Sequence, residues 1–156
     1  QEQVWPDPEI TMVGSAYLPD EYISDSGQKL HLYRRLSKLV LLSEVDSLRE
    51  ELVDRFGEPP QNVEHLLQAT SLRILGRKIG VERILVREHE ARINFLPSVV
   101  PRLAVLEGPL RDRDVDVEVR RMAPLSVVLR QREPNELIST LISALTALLD
   151  TQSARV

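Results

Sequence analysis

Apolar residues recur at helical spacing in three consecutive stretches between residues 26 and 80, and at strand spacing afterwards. In the first stretch Leu32, Tyr33, Leu36, Leu39 and Val40 fall on one stripe, with His31, Arg34, Arg35 and Lys38 on the other side, as in a helix with one buried face. The second opens S-E-V-D, which predicts an N-cap at Ser43 with acids in the first turn. It sets Val45, Leu48, Leu52 and Phe56 on one face before Gly57, Pro59 and Pro60 stop it. The third runs from about Gln61 to Ile79 and ends at Gly80. Val63, Leu66, Leu67, Thr70 and Ile74 form one apolar face and Leu72, Leu75 and Ile79 a second, so this helix belongs at the centre of a domain.

Beyond Gly80 the period shortens to two. Val81 to Arg87 and Ala91 to Leu96 alternate around His89 and Glu90 and predict a hairpin. Pro101 to Glu107 predicts a short helix ending at Gly108. V-D-V-E-V-R at 115–120 alternates strictly, and Leu125 to Gln131 supplies its partner strand. Glu136 to Leu149 closes as an amphipathic helix. The order predicts an α+β fold: N-terminal helices, then two β-hairpins forming a mainly antiparallel sheet, closed by a C-terminal helix. Residues 1–16 read as a Pro-interrupted linker with a short tether strand at Ile10 to Val13, residues 17–150 as a single domain, and residues 151–156 as a frayed tail.

Composition narrows the class. The chain is 42% apolar and 28% charged, with six Gly and ten Pro in 156 residues, which excludes a fibrous or disordered chain. No stretch approaches the roughly 20 apolar residues of a membrane span. The absence of Cys excludes disulfides, thiolate metal sites and a Cys nucleophile, and fits a reducing compartment, so a cytoplasmic location is expected. The first residue is Gln and no secretory signal precedes the domain, so the chain looks like a piece of a longer protein.

The net charge of -4 is unevenly placed. Residues 1–26 carry six acids and no Lys or Arg, which leaves 20 basic against 18 acidic residues for the rest. Residues 27–42 hold Lys29, Arg34, Arg35 and Lys38 with no acid, while 43–58 hold six acids against Arg49 and Arg55. Adjacent segments of opposite sign predict helices that pair with each other or face different partners.

Chemistry is sparse. No G-x-x-x-x-G-K-[ST] and no G-x-G-x-x-G after a strand is present, so no nucleotide-phosphate cradle is predicted. G-R-K-I-G at 76–80 reads as a helix tail with basic residues on its negative end. His31, His65 and His89 occur singly, without the partners of a tetrahedral metal site, and no Ser–His–Asp arrangement or G-x-S-x-G elbow is seen. Catalysis within this chain is not expected. Arg34, Arg35 and Lys38, with His31, could contact phosphate, but no aromatic residue is interleaved to stack bases. A solvated face, or one docked on the acidic second helix, is the preferred reading.

The most informative local feature is E-L-V-D-R-F-G at 51–57. Glu50, Glu51 and Asp54 crowd the end of a helix, where the dipole disfavours negative charge by ~0.3–1 kcal/mol each. Arg55, four residues after Glu51, offsets about 0.2–0.5 kcal/mol of that. One reading is a surface helix with a local ion pair and a glycine stop. The other makes Glu51 a docking acid that lacks an adequate partner at home and finds an Arg on another domain.

L-P-D-E-Y-I-S-D at 18–25, L-x-L-Y-R-R-L at 30–36, E-L-V-D-R-F-G-E-P-P at 51–60 and L-x-x-A-T-S-L-R-I-L-G-R-K-I-G-V at 66–81 together resemble the C-terminal domain of the Mfd family, the bacterial transcription-repair coupling factors. The resemblance covers residues 9 to 96, with 97–156 similar mainly in their strand, strand, helix order. It implies a non-catalytic regulatory domain of an ATP-dependent DNA translocase, which would dock on the N-terminal UvrB-like module of the same protein, mask UvrA binding and restrain the motor. It assigns the docking contacts to Glu51, Asp54 and Arg55. It also implies no cofactor in this chain, with ATP and Mg in the parent motor domains, indirect links to UvrA, RNA polymerase and DNA, and a monomeric isolated domain. The alternative function is an auxiliary DNA-contacting module using the basic face of the first helix.

Overall fold

The computed structural model describes residues 5–153. In chain order the elements are β1 (Glu9–Met12), α1 (Ser26–Lys38), α2 (Leu42–Phe56), α3 (Gln61–Ile79), β2 (Val81–Val86), β3 (Glu90–Phe95), a 3-10 turn (Leu103–Leu106), α4 (Glu107–Leu110), β4 (Val115–Arg120), β5 (Ser126–Gln131) and α5 (Pro134–Ser153). The α+β order is the one the hydrophobic pattern predicts. Two compact units share the chain: Gly14–Ile74, and the segment up to Val13 joined to Leu75 and all that follows.

In the Gly14–Ile74 unit, α1 starts where the Asp25 carboxylate accepts the Gln28 N–H at 2.8 Å, an N-cap of the usual kind. It ends at Lys38, because Leu39 turns extended, with φ -67° and ψ 136°. Leu32, Leu36 and Leu39 are buried, whereas Val40, placed by its spacing on the same stripe, is exposed beside Leu41. The cap of α2 also differs from the expected Ser43. Leu41 holds that position, and the Glu44 carboxylate reaches back to accept the N–H groups of Val40 and Leu41 at 3.1 and 2.9 Å. A glutamate three residues into the helix can satisfy these donors alone, so a residue without a polar side chain is tolerated at the cap.

Val45, Leu48 and Leu52 bury the inner face of α2, each worth about 1.5–3 kcal/mol against exposure. At Gly57, φ 85° and ψ -174° end the helix, in a region open essentially to glycine alone. The bounds of α3 coincide with those the pattern predicts. Val63, Leu67 and Ile74 enter the same core as α1 and α2. Arg73 donates to the carbonyls of Leu36 and Leu39 at 3.0 Å each, partners for groups that the end of α1 would otherwise leave unbonded.

The other unit is a five-stranded sheet in the order β1-β2-β3-β5-β4. Both hairpins are antiparallel, and β1 adds a parallel edge, with Ile10 beside Ile84 and Met12 beside Val86. On one face Ile84, Ile93 and Val127 lie in one row, and Val86, Ala91 and Leu129 in the next. All six are buried, and α5 lies against this sheet at β3 and β5. Gln131 is buried with its donors and acceptor matched: Nε2 donates to the Arg113 carbonyl at 2.6 Å, and Oε1 accepts from the Thr140 hydroxyl at 2.7 Å. The helix expected at 101–107 is instead the 3-10 turn continuing into α4. Gly108 sits inside α4, and its backbone lacks the positive φ by which Gly57 and Gly80 end their helices. α5 reaches Ser153, inside the segment expected to fray; residues 154–156 of that segment, and 1–4 of the expected linker, lie outside the described residues. Among the described residues no helix is long and apolar enough to cross a membrane.

Candidate protein-interaction site at the end of the second helix

Three of the four sequence motifs meet around the last turn of α2. The carbonyl of Pro19 accepts the N–H groups of Tyr22 and Ile23, each at 3.0 Å, a tight turn that buries Leu18 and Ile23. The Leu18 N–H donates to the Tyr33 hydroxyl at 2.8 Å, so the 18–25 motif is tied to the 30–36 motif. Tyr22 ties it to 51–60: its hydroxyl donates to the Gly57 carbonyl at 2.8 Å and lies 3.2 Å from that of Leu52. Its ring is 5.7 Å from that of Phe56, within the range of favourable aromatic pairs. Burial pushes the Tyr22 hydroxyl above its ordinary value of 10.0.

The predicted site residues divide. Glu51 does have a partner at home: Arg35 Nη1 donates to its Oε2 at 2.5 Å, and Arg55 Nη1 stands 3.6 Å from the same oxygen. The expectation that this acid is poorly served within its own fold is therefore wrong. The reason is range, since reasoning along one helix reaches four residues and Arg35 lies sixteen away on α1. The Arg35 hydrogen bond is the main cause that holds the Glu51 carboxyl below its ordinary value of 4.5, against partial desolvation and with help from Arg55. With Glu51 36% and Arg35 37% exposed in their side chains, the pair contributes about 0–1 kcal/mol.

Arg35 is thus committed to Glu51, and of the expected phosphate contacts Arg34 and Lys38 stay exposed, as does His31. Of the two outcomes their adjacency leaves open, the oppositely charged segments pair, through Arg35 and Glu51. Arg55 stacks over the Phe56 ring, 5.0 Å from its centroid, a cation–π contact. Asp54 is exposed and makes no ion pair among the described residues. A further cluster was not anticipated: Arg49 of α2 donates to Glu64 of α3 through Nε at 3.0 Å and Nη2 at 2.6 Å, with Glu58 at 3.5 Å. Glu64 is the main cause that raises the already high value of the Arg49 guanidinium. The corner is thus a patch of mixed charge: Glu51 and Arg55 oriented by neighbours, Asp54 facing water.

A family model, the TRCF domain, matches residues 13–103, more than half of the chain. The chain belongs to the TRCF domain family. Its relatives include proteins named transcription-repair-coupling factor from Myxococcus xanthus, 40% identical over 87 residues and 51% of this chain. That of Bacillus subtilis is 32% identical over 56% of the chain, and that of Haemophilus influenzae 42% over 44%. The matched part spans only 6–7% of the length of these relatives. A crystal structure described as the C-terminal domain of transcription-repair coupling factor superposes with a TM-score of 0.85 at 24% identity, over 99% of both chains. The fold is therefore shared along the whole TRCF chain. The family match takes in α1 to α3 and the first hairpin and stops before β4, β5 and α5.

Proposed function

We propose that this TRCF domain is a non-catalytic regulatory module of a transcription-repair coupling factor. In this reading the end of α2 docks on the N-terminal UvrB-like module of the same protein, covers the surface that binds UvrA, and restrains an ATP-dependent, Mg-dependent motor elsewhere in the chain. UvrA, RNA polymerase and DNA are then indirect partners, and the setting is the cytoplasm. The domain acts as a latch that favours the closed arrangement by a few kcal/mol, so that engagement of polymerase and DNA can open it.

The observation that carries the reading is the division of labour within E-L-V-D-R-F-G. Leu52 and Gly57 build the domain, while Asp54 faces water with no ion pair among the described residues. The Arg35 clamp changes the role given to Glu51. Both guanidinium contacts use Oε2, so the carboxylate is held in one orientation with Oε1 left for an incoming donor. A side chain ordered beforehand loses less entropy on docking.

The test is made in the full-length protein with Asp54→Arg, which leaves the Arg35–Glu51 pair intact, beside Glu51→Arg. Each should raise ATPase activity and UvrA binding by about five- to tenfold, the shift expected for losing about 1–1.4 kcal/mol of closure. Unchanged values for both variants in both assays reject the latch.

A further inference from the structure

We propose that β4 is the contact edge of a weak symmetric dimer, in which two copies of this chain pair their β4 strands antiparallel and join two five-stranded sheets into one. β4 belongs to the sheet unit and α2 to the other, and the proposal departs from the monomer expected from sequence. β4 pairs with β5 on one side, and no strand among the described residues occupies the other. Such an edge presents N–H and C=O groups ready for another strand. Proteins blunt such edges with Pro, bulges and charged side chains, Lys above all; V-D-V-E-V-R has no Pro or Lys and pairs in unbroken register, but it carries Asp116, Glu118 and Arg120, so only a strand of complementary charge fits beside it.

Charge selects the partner. Asp116, Glu118 and Arg120 share one face of β4, in register with Arg130, Val128 and Ser126; Val115, Val117 and Val119 share the other. Two antiparallel strands related by a twofold axis perpendicular to the sheet keep their faces, so opposed residues must be of the same parity. Centring the pair on Val117 sets Asp116 against Glu118 twice and is repulsive. Centring it on Glu118 sets Asp116 against Arg120 twice, Val117 against Val119 twice, and Glu118 against itself once.

That central repulsion is muted by Arg130, 3.6 Å from Glu118, and by Arg120, which lies against Glu118 and in this register bridges it to Asp116 of the second copy. Asp116, by contrast, is exposed and lacks an ion pair among the described residues, so this register supplies the charge it is missing. Val117, 43% exposed, is covered by Val119 of the second copy. The other edge offers nothing comparable: β1 has one charged residue, Glu9, and Arg83 of β2 already binds it at 2.9 Å.

A six-residue edge buries less than the roughly 1,200 Å² of a stable complex, so the dissociation constant falls on the order of 100 μM. Sedimentation velocity of the 156-residue chain from about 10 μM to 1 mM should show a concentration-dependent dimer bracketing that value. Because each substitution acts twice across the axis, Asp116→Arg should weaken the dimer about tenfold or more. Asp116→Arg combined with Arg120→Asp should bring it back to within about threefold of the parent. Both positions are exposed, and melting curves check that each variant stays folded. A chain that is monomeric at every concentration overturns the proposal. So does a dimer indifferent to Asp116→Arg, or a charge-swapped variant no better than the single one.

Discussion

α2 and α3 both stop at a glycine with positive φ, +85° at Gly57 and +93° at Gly80, yet the two ends have opposite surroundings. A Cβ built on Gly57 meets nothing within 4 Å, whereas one on Gly80 would be driven into Val99 and come within 3.0–3.1 Å of the Trp5 ring. Gly80 is buried, and the Trp5 N–H donates to the Arg77 carbonyl, 3.1 Å away, in the turn before it. The same stop signal therefore closes one helix inside the packing and leaves the other to present its last turn, and the charges on it, to solvent. A helix end with one side open to solvent can carry residues there chosen for something other than stability.

This contrast is open to direct attack. Gly80→Ala meets both a backbone penalty and an overpacked neighbour and should cost about 2–5 kcal/mol, read as a fall in the urea midpoint. Gly57→Ala meets the backbone penalty alone, about 1–3 kcal/mol. Equal losses for the two would erase the distinction between a packed and a presented end.

Tyr22→Phe removes the hydroxyl that donates to the Gly57 carbonyl and should cost about 1 kcal/mol, with the ring contact to Phe56 retained. The loss should shrink in a Gly57→Ala background, where that carbonyl has shifted, and a double-mutant cycle measures the coupling. If the two losses simply add, Tyr22 does not hold the presented end.

The smallest effect belongs to Glu51→Gln, about 0–1 kcal/mol near neutral pH. Its pH dependence is the sharper reading. The folded-state value of Glu51 is lowered, chiefly by the Arg35 hydrogen bond, so its stabilisation is fully present above the ordinary value of 4.5 and disappears as pH falls through the lowered one. Urea unfolding of parent and variant should therefore differ at pH 7 and converge in acid. A constant gap across that range would rule out the ion pair as its source.

The periodic stretches were legible to the residue where one rule acts alone. α3 has the predicted bounds because Pro60 and Gly80 enclose an uninterrupted helical pattern, and both of its apolar faces are buried. Errors arose where two local signals compete. Ser43 and Glu44 could each cap α2, and only the path of the chain from Leu39 onward decides for Glu44 reaching back. Gly108 carries the residue type of a stop without the backbone that makes one. The 18–25 motif carries the family resemblance in sequence, and its physical content lies in the structure: Tyr22, Ile23 and Asp25 serve a helix end, a core and a cap.

Hydrophobic period, glycine stops and segment charge are properties of neighbours along the chain, and they are enough to order the helices and strands and to narrow the oppositely charged segments to pairing with each other or facing different partners. Partnerships across sixteen or more residues lay beyond them. The Arg35–Glu51 clamp, the parallel entry of β1 beside β2 and the outer edge of β4, unpaired among the described residues, exist only once remote segments are brought within a few ångströms. Hydrogen bonds and ion pairs act at that range whatever the separation along the chain.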